Sequence, residues 1–529
     1  MFRALVTSFI LIVISFSSFA QLTQNLTIGN AKALALANAV TADPPGTDSF
    51  HFNPAGIFSA FEKGACAEFQ FVYTPKPKIE FNARWTGEYS DANVNLNDCD
   101  AECFTLNEDN GELNSFEVDS PLVYLPWKGS AEAGSLLPRG GYVYRGNRFA
   151  FGTSTYATSA GGYDATNTIA RYPLEKVATI NLVLASPGFA FKVSETLTVG
   201  MAFPLNYSGA EGVVKLRTPN LLVGIAADAL STICSGTEDN ALCREDGTSI
   251  PLYDDALTLE FQLEDQLTPS YNLGFLWQPY EWISFGGVFQ SAVKHELKGK
   301  YHNTYDESVA VLVNSGLLNV LPGFPQVEAS DSRIYEESGD LLSRQSIPKH
   351  FALGVSLVVT PRLRINVDYK KTYYSAWNQL ALVFDSETVI SALGGLFRND
   401  PERTASSPLG YIDNDNFAIG AEYKISDRYS VRLGYEYRPS VIPDHNKAYG
   451  GLLTDTQVIG LGGSIRLSKE YTLDISLGNV SSDQSIPNGT SYVNTWDNFE
   501  LFAQYPGYDL STEMNSSLLI FGISKTFTR

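Results

Sequence analysis

The feature that most limits the fold of this chain is an alternation of apolar and polar side chains, which is longest between Leu257 and Trp277 and holds for most of that stretch. Such a period of two indicates a β-strand that separates two environments. Strands of soluble sandwiches average about five or six residues. A strand of this length, tilted by roughly 40°, would stand roughly 50 Å tall. It is therefore expected to cross the apolar band of a membrane barrel, about 25 Å, and to protrude beyond it.

The two faces of such a strand have different expected roles. We expect the apolar, aromatic-rich face to meet lipid and the polar face to line a lumen. Charged residues on the polar face are expected to hold the interior together through hydrogen bonds and ion pairs. They are Glu260, Glu264, Arg364, Asp368, Arg432, Glu436 and Asp474.

The same alternation recurs on both sides of six very short turns. These turns lie at 145–148, 193–195, 278–280, 360–361, 426–428 and 468–470. Seven longer connections lie at 86 to about 133, 158–171, 210–256, 304–346, 379–412, 440–453 and 481–513. Long connections at one end and short turns at the other are typical of outer-membrane barrels. Residues 63–529 are thus predicted to form an all-β, transmembrane antiparallel barrel of about 14 strands.

The first twenty residues have the pattern of an export signal. One positive charge, Arg3, precedes an apolar run from Leu5 to Phe16 and small residues before Gln21. This predicts a secretory signal peptide over residues 1–20, whose apolar run is too short for a spanning helix. Removing Arg3 reduces the 37 basic residues to 36 against 58 acidic ones, a net charge of −22. That charge argues against nucleic acid as a partner.

Cysteine and histidine usage gives little sign of chemistry. Two close pairs, Cys99 with Cys103 and Cys234 with Cys243, are disulfide candidates in an exported chain, with connectivity left open. We interpret Cys66 as a small residue packed in a strand. The sequence has no H-E-x-x-H pair, no nucleophile elbow and no Gly-rich phosphate loop, so we expect no metal, no cofactor and no catalytic residue. The acidic runs 97–100 and 413–416 are interpreted as solvated charge, with Ca²⁺ binding as the alternative.

A short apolar segment precedes the first strand. Asn53 can accept N–H groups at a helix start, and Pro54 has the φ of a first helical residue, so Asn53-Pro54-Ala55 predicts a capped helical turn. Phe52 and Phe58 flank this turn. So small a turn is not stable alone, and the rest of the chain must enclose it.

The position of this turn in the chain indicates where it is enclosed. An even number of strands puts both chain ends at the short-turn side, so residues 21–62 can enter the lumen as a helical plug, or hatch. A second helix is expected over Gly29 to Ala42, which is rich in Ala and Leu.

Two of the long connections are unusually apolar. Helices could begin at Thr218-Pro219 within 210–256 and at Asp306-Glu307 within 304–346. Exposed apolar patches commonly mark a binding surface, and the alternative is that the two helices pack on each other. The residues of this predicted groove are Leu221, Leu222, Ile225, Leu230, Val309, Leu312, Leu317, Leu321 and Phe324.

Together these features resemble the FadL-type family, the long-chain fatty-acid and hydrocarbon transporters of Gram-negative outer membranes. The resemblance runs over nearly the whole mature chain. Its sharpest point is Asn53-Pro54-Ala55 after a small-residue helix and before the first strand. Trp377, the stretch from Tyr437 to Pro443 and the two apolar loops support it. The chain departs from the pattern at its end, where Phe527 is followed by Thr528-Arg529.

The resemblance implies a monomeric, passive transporter in contact with outer-membrane lipid and lipopolysaccharide. Residues 210–256 and 304–346 match the family's ligand-capture loops, from which a fatty acid or hydrocarbon passes to a lumen site beside the plug. A kink in the third strand, Phe149 to about Ser159, opens the wall sideways. The kink candidates are Gly152, Gly161 and Gly162, because glycine tolerates unusual backbone angles.

Three other classes of barrel would use a similar wall. An outer-membrane lipid hydrolase would need a catalytic constellation, and the five histidines of the chain lie in no recognised motif. A general porin would need an open bore, which the expected plug argues against. An adhesion or structural barrel is a third alternative.

Overall fold

The computed structural model of the chain describes residues 29–59, 63–73, 78–85, 114–117, 122–132, 136–166, 168–217, 255–448, 454–495 and 503–527. Several predicted features lie outside these ranges. They are the signal peptide 1–20, the four cysteines Cys99, Cys103, Cys234 and Cys243, and the loop residues Leu221, Leu222, Ile225 and Leu230.

The described ranges contain twenty-five strands. They are β1 (Gly64–Tyr73), β2 (Lys78–Trp85), β3 (Asn114–Glu117), β4 (Leu122–Leu125), β5 (Gly129–Glu132), β6 (Leu136–Arg145), β7 (Phe149–Asp164), β8 (Leu174–Ala185), β9 (Gly188–Lys192), β10 (Leu197–Ala202), β11 (Leu205–Leu216), β12 (Leu257–Pro269), β13 (Asn272–Tyr280), β14 (Ile283–Gln290), β15 (Val293–Tyr305), β16 (Glu336–Ile347), β17 (His350–Thr360), β18 (Leu363–Thr372), β19 (Gln379–Phe384), β20 (Thr404–Pro408), β21 (Asn414–Lys424), β22 (Tyr429–Arg438), β23 (Thr456–Arg466), β24 (Tyr471–Ile486) and β25 (Tyr508–Phe527).

Fourteen of these strands close into an antiparallel barrel at the end that carries the short turns. In ring order they are β1, β6, β7, β9, β10, β13, β14, β17, β18, β21, β22, β23, β24 and β25. The ring closes because β25 also pairs with β1, Ala65 lying opposite Phe527. The predicted fold class and the number of strands are confirmed.

The short turns lie close to where the alternation predicts them. One is displaced, because Gln278 to Tyr280 remain in β13 and the turn is formed by Glu281 and Trp282. We refer to this end of the barrel as the short-turn end and to the opposite end as the long-loop end.

The stretch that the sequence predicts as one long strand forms β12 and β13, and its apolar side chains point inward on β12 and outward on β13. On β13, Phe275 and Trp277 point outward, as the alternation predicts, but on β12 the equivalent Leu259 and Leu263 are buried on the inner face. The register of β11 and β12 shifts where Tyr207 lies opposite two residues of β12, and such a bulge inverts the two faces. The interpretation of this stretch as one continuous lipid face is therefore wrong for β12.

Because of this inversion, two of the seven charged residues predicted to line the lumen face outward instead. Glu260 and Glu264 of β12 face outward, opposite in direction to Leu259 and Leu263. The other five predicted charges face the interior, where they contact the segment inside the barrel or each other: Arg364, Asp368, Arg432, Glu436 and Asp474.

The helices of the described ranges are short. They are α1 (Ala31–Ala35), α2 (Ser49–Phe52), α3 (Glu307–Asn314) and α4 (Val389–Arg398), with 3-10 turns at Gly46–Asp48, Pro54–Phe58, Ile169–Arg171, Leu317–Val320, Tyr374–Ala376 and Asp444–Asn446. The predicted helix from Gly29 to Ala42 is shorter than expected because Ala37 and Asn38 adopt φ values of 46° and 63°, which reverse the chain. In the part of the chain described here, no helix is both long and apolar enough to cross a membrane.

An insertion leaves the wall between β3 and β6. β3 and β6 occupy the same strand position of the wall at two different heights, because β3 pairs with β2 and β6 pairs with β1. The hairpin β4–β5 lies between them in sequence, and we call residues 122–132 the strap. Tyr124 Oη donates to Glu264 at 2.5 Å, and Ser130 Oγ donates to Glu211 at 2.6 Å. Since both carboxylates face outward, the strap lies on the outside of the barrel.

Candidate transport path

Residues 29–59 lie inside the barrel and contact the ring on many sides, and we call them the plug. Asn53 fixes both its shape and its position. The Asn53 side-chain oxygen accepts from Ala55 N at 3.2 Å at the start of the Pro54–Phe58 turn. The Asn53 amide group donates to Thr41 O at 2.8 Å and to Phe275 O of β13 at 2.9 Å. The residue thus caps the turn and attaches it to the wall.

Inward-facing amide side chains of the wall hold the plug backbone. Asn272 donates to Phe50 O at 3.0 Å, Gln290 to His51 O at 2.8 Å and Asn366 to Ala39 O at 3.0 Å. These carbonyl groups are buried and would be costly to leave unpaired. The contacts replace the water that an open bore would supply.

Glycines of the wall make room for the plug. On ten of the fourteen ring strands, a Cβ added to an inward-facing glycine would lie under 3.0 Å from a plug atom. The nearest atoms are backbone at Gly434, which faces Leu36 and Ala37, and at Gly460, which faces Leu34 and Ala35. The full set is Gly141, Gly188, Gly200, Gly274, Gly286, Gly354, Gly420, Gly434, Gly460, Gly462 and Gly478.

Buried charges join the plug to one side of the wall. Asp43 pairs with Lys32 of α1 at 2.8 Å and with Arg364 of β18 at 2.7 Å. Glu436 of β22, fully buried, accepts from Asn38 of the plug at 3.0 Å and from Lys370 and Arg438 at 2.8 Å each. Although burial opposes ionisation, Lys32 and Arg364 lower the pKa of Asp43 from its ordinary 3.8 to about 2. Asp43 therefore stays ionised at neutral pH.

Because of this ion pair, the stability of the plug inside the barrel is expected to depend on pH. A pKa that is lower in the folded state gives stability that is present above pH 3.8 and is lost as the pH falls toward 2. We expect the plug to loosen in that window, with a rise in ion conductance across planar bilayers. Asp43→Asn lacks this group, so its conductance should be flatter over the same pH range. An equally steep rise in the variant would contradict the role of Asp43.

A second buried pair lies on the β6 side of the plug. Asp48 forms an ion pair with Arg139 of β6 and accepts from Asn30 Nδ2 at 2.6 Å. The Arg139 guanidinium also lies 5.9 Å from the centre of the Tyr156 ring. The plug is thus tied to the point where β6 and β7 begin to separate.

His51 belongs to the packing of the plug. Its ring meets Phe52 and Tyr156 edge to face, at 5.2 and 5.3 Å between centres. Burial lowers the pKa of His51 to about 3, so the ring is neutral at physiological pH. Phe52 and Phe58 of the predicted motif are buried in two apolar clusters on either side of it.

A polar vestibule lies between the plug and the short-turn end. Its volume is about 770 Å³. Charged side chains of the plug and the wall line it, among them Lys32, Glu68, Arg432 and Asp474. Water and ions can therefore reach the underside of the plug.

The interior above the plug is apolar, in contrast to the vestibule. One cluster joins α1 to the inner faces of β2, β24 and β25, and includes Leu34, Phe81 and Met514. A second joins β12, β15 and β16 to the loop helices α3 and α4, and includes Leu259, Tyr301 and Ile390. Tyr492 packs against both clusters. Apolar side chains therefore extend from the long loops to the plug.

The wall is interrupted beside this apolar interior. β6 and β7 pair from Arg145 opposite Ala150 up to Gly140 opposite Thr155. Above Thr155, β7 continues to Asp164 in pairing with β8, and no strand among the described residues pairs with its other edge. β6 itself continues to Leu136, paired only with β1. The two strands thus begin to separate at the height of the plug, where Arg139 and Tyr156 contact Asp48 and His51.

The predicted kink glycines lie on either side of this interruption. Gly152 pairs regularly with Val143 and Gly188. Gly161 and Gly162 lie in the upper part of β7, opposite Thr179 and Ala178 of β8. The register shift on β7 itself lies between Ala157 and Ser159.

The predicted loop residues that the structure describes divide between two surroundings. α3 begins at Glu307, and Asp306 caps it by accepting from Ser308 N at 3.0 Å. Val309 and Phe324 pack into the apolar cluster beneath. Leu317 and Leu321 are exposed and share the outer surface with Val320, which is 84% exposed, and with Leu396 of α4. Leu312 is half-buried.

Several contacts of the path have little signal in the sequence. The pairing of Asp48 with Arg139 joins residues that are far apart in the chain, and alternation says nothing about which polar residues meet. The glycines could have been found, because they recur at inward-facing positions of successive strands, such as Gly420 and Gly434.

Three comparisons connect this arrangement with known proteins. A model of the outer membrane protein transport protein family (OMPP1/FadL/TodX) matches residues 10–528. Among curated proteins, a 47 kDa outer membrane protein of Pasteurella multocida (strain Pm70) is 22% identical over 216 residues, 41% of this chain and 44% of that protein. The chain thus matches less than half of the length of this relative.

Solved structures resemble the whole barrel. A FadL homologue of Pseudomonas aeruginosa has 17% identity and a TM-score of 0.63, over 97% of this chain and 100% of that one. The Ralstonia pickettii toluene transporter TbuX has 14% identity and a TM-score of 0.57, over 96% and 100%. The P. putida toluene transporter TodX has 14% identity and a TM-score of 0.58, over 94% and 98%. The chain therefore belongs to the OMPP1/FadL/TodX family of outer membrane transport proteins.

Proposed function

We propose that this protein takes up hydrophobic small molecules, such as long-chain fatty acids or hydrocarbons, by passive diffusion across the outer membrane. The observation that carries the proposal is the apolar interior above the plug, next to the separation of β6 and β7. Because the family is one of transport proteins, we propose transport without a chemical step. Two structural relatives, TbuX and TodX, are toluene transporters, which supports a hydrophobic cargo.

The first proposed step is capture at the long-loop end, which faces the outside of the cell. The exposed residues Leu317, Val320, Leu321 and Leu396 form an apolar surface there. Removing apolar area from water is favourable by about 25 cal/mol per Å², so an oily molecule adsorbs on this surface. The predicted loop residues Leu221, Leu222, Ile225 and Leu230 would extend it.

The next steps are passage through the apolar interior to the plug and exit sideways. The plug blocks the direct route, and the vestibule beneath it is polar. Transfer of a hydrophobic molecule from the interior above the plug into lipid is favourable, whereas its transfer into water is unfavourable. The separation of β6 and β7 would supply the route into lipid, and a shift of the plug would open it.

The exit step can be tested by tethering the two separated strands. Continuing the register of β6 and β7 would place Pro138 opposite Ala157. We expect Pro138→Cys/Ala157→Cys, in a background without the native cysteines, to lose most fatty-acid and toluene uptake when a short bifunctional thiol reagent joins the pair. Uptake into cells that lack other such transporters is the measurement, and mass spectrometry confirms the tether.

The matched control is Tyr142→Cys/Thr153→Cys, which joins the same strands where they already pair. Its tether should leave uptake unchanged. If the Pro138–Ala157 tether forms fully and uptake continues at the original rate, the cargo does not leave between β6 and β7.

A further inference from the structure

A group of cations lies on the outside of the barrel, in the first half of β15, near the end of β16 and just before β17. The residues are Lys294 and Lys298 of β15, Arg344 of β16 and Lys349, which precedes β17. We call these four the basic rim. All four side chains are exposed. Cross-strand register brings them together, because Lys294 lies opposite Ser346 and Arg344 lies opposite Glu296.

The basic rim has more positive than negative charge. Glu296 is shared between Arg344 at 3.2 Å and Lys298 at 3.7 Å. Within the described ranges, Lys294 and Lys349 form no ion pair, and Lys349 Nζ lies 4.3 Å from the centre of the Tyr373 ring. Glu264 lies opposite Lys298, and Asp265 lines the same cavity as Lys294 and Lys298, so the four cations face three carboxylates and the local formal charge is +1.

This local charge is opposite to that of the chain as a whole, whose formal net charge is −21. It also contrasts with the outer face of β2 and β21 to β25. The charges there are largely acidic, and include Glu80, Asp415, Asp483 and Glu513. On the part of the outer wall nearest the long loops, the basic rim therefore differs in charge from this acidic sector.

The basic rim lies just above the surface that meets lipid. Phe289 of β14 pairs with Phe351 of β17 on the outer face, and the Phe289 ring lies 6.0 Å from that of Tyr271. Lys349 is only two residues from Phe351, about 7 Å along the chain at 3.3 Å per residue. Aromatic residues mark the interface of a membrane barrel. The cations thus stand at the height of the lipid headgroups of the outer leaflet.

A cavity of about 670 Å³ adjoins the basic rim, between β12 and β15 and beside Tyr124 of the strap. Lys294 and Lys298 line it. Its carboxylates are largely occupied already: Glu264 accepts from Tyr124 Oη and Trp127 N, and Asp265 accepts from Thr268 Oγ1. The cavity therefore adds space for a headgroup next to Lys294, which forms no ion pair within the described ranges.

We propose that the basic rim binds the phosphate groups of a phosphorylated glycolipid in the outer leaflet. Lys and Arg form strong charge-assisted hydrogen bonds with phosphate oxygens. The apolar wall directly below would contact the acyl chains of the same molecule, which a free anion lacks. The inference concerns the outside of the barrel and holds for any cargo in its interior.

The test compares lipid A binding to full-length protein variants in detergent by native mass spectrometry. Lys294→Gln/Lys298→Gln/Arg344→Gln/Lys349→Gln should bind bis-phosphorylated lipid A at least tenfold more weakly than the unaltered protein. Dephosphorylated lipid A should bind the unaltered protein at least tenfold more weakly too, because the cations would have no anion to contact. The heat-dependent shift in electrophoretic mobility checks that each barrel is folded.

The control variant removes four exposed cations from the short-turn end, Arg148→Gln/Arg362→Gln/Lys424→Gln/Arg428→Gln. Its affinity for lipid A should be unchanged. Full affinity in the basic-rim variant would overturn the proposal, as would an equal loss in the control, which would reflect net charge alone. Displacement of lipid A by an equal concentration of inorganic phosphate would show a free-anion site instead of a lipid site.

Discussion

Gly434→Ala/Gly460→Ala should turn the closed barrel into an open channel, with ion conductance across planar bilayers at least tenfold above that of the unaltered protein. Each added Cβ would lie under 3.0 Å from plug backbone atoms, at Leu36 and Ala37 for Gly434 and at Leu34 for Gly460. The wall cannot yield easily, because every ring strand is hydrogen-bonded on both sides. The plug is built from short helical pieces that are weak on their own, so the plug is displaced.

Gly395→Ala is the matched control for this prediction. Gly395 lies in α4 at the long-loop end, and an added Cβ there would be 3.8 Å from its nearest neighbour, Asp400 O, which is ordinary contact. Its conductance should not change. If the double variant folds, as judged by heat-dependent mobility, and still conducts no more than the original, the glycines do not set the fit of the plug.

Glu436→Ala should lower the free energy of unfolding by about 3–5 kcal/mol, the usual cost of removing one partner from a buried ionic group. Glu436 accepts from Lys370, Arg438, Asn416 and Asn38. Without the carboxylate, buried Lys370 and half-buried Arg438 lose their counter-charge and the plug loses a contact with the wall. Urea unfolding in lipid vesicles, followed by tryptophan fluorescence, measures the change.

Glu513→Ala provides the comparison for this loss. Glu513 is exposed on the outer face of β25, so its removal should change the free energy of unfolding by no more than about 0.5 kcal/mol. A similar small change for Glu436→Ala would mean that the buried group does not stabilise the barrel, and a similar large change for both would point to net charge as the cause.

The sequence was sufficient for the ring because period-two alternation and turn length are local properties. The turns after Arg145 and after Thr360 could be located from a few residues each, and the number of strands follows from counting them. The same local rule failed on β12. Alternation says that neighbours face opposite ways, and a single bulge near Tyr207 reverses which way is inward without leaving a clear mark in the pattern.

The contacts of the plug and the strap were less predictable because they depend on pairs far apart in the chain. Asn53 could be identified as a helix cap from its neighbours, but its bond to Phe275 O could not. The position of the strap outside the wall depends on Glu211 and Glu264 facing outward. For Glu264 that direction depends on the bulge in β12, so one missed irregularity accounts for both charges, Glu260 and Glu264, that were wrongly predicted to face the interior.

The seam between β1 and β25 has a consequence for how the protein is assembled. The plug immediately precedes β1, and the strand that closes the ring with it, β25, is the last strand that the structure describes. The plug backbone is hydrogen-bonded to wall side chains and backbone around the bore, and it lies in contact with the wall glycines. The closed ring leaves no space through which the plug could enter afterwards. The plug must therefore already lie in the bore when β1 pairs with β25. The machinery that inserts this barrel has to close the ring around the folded plug.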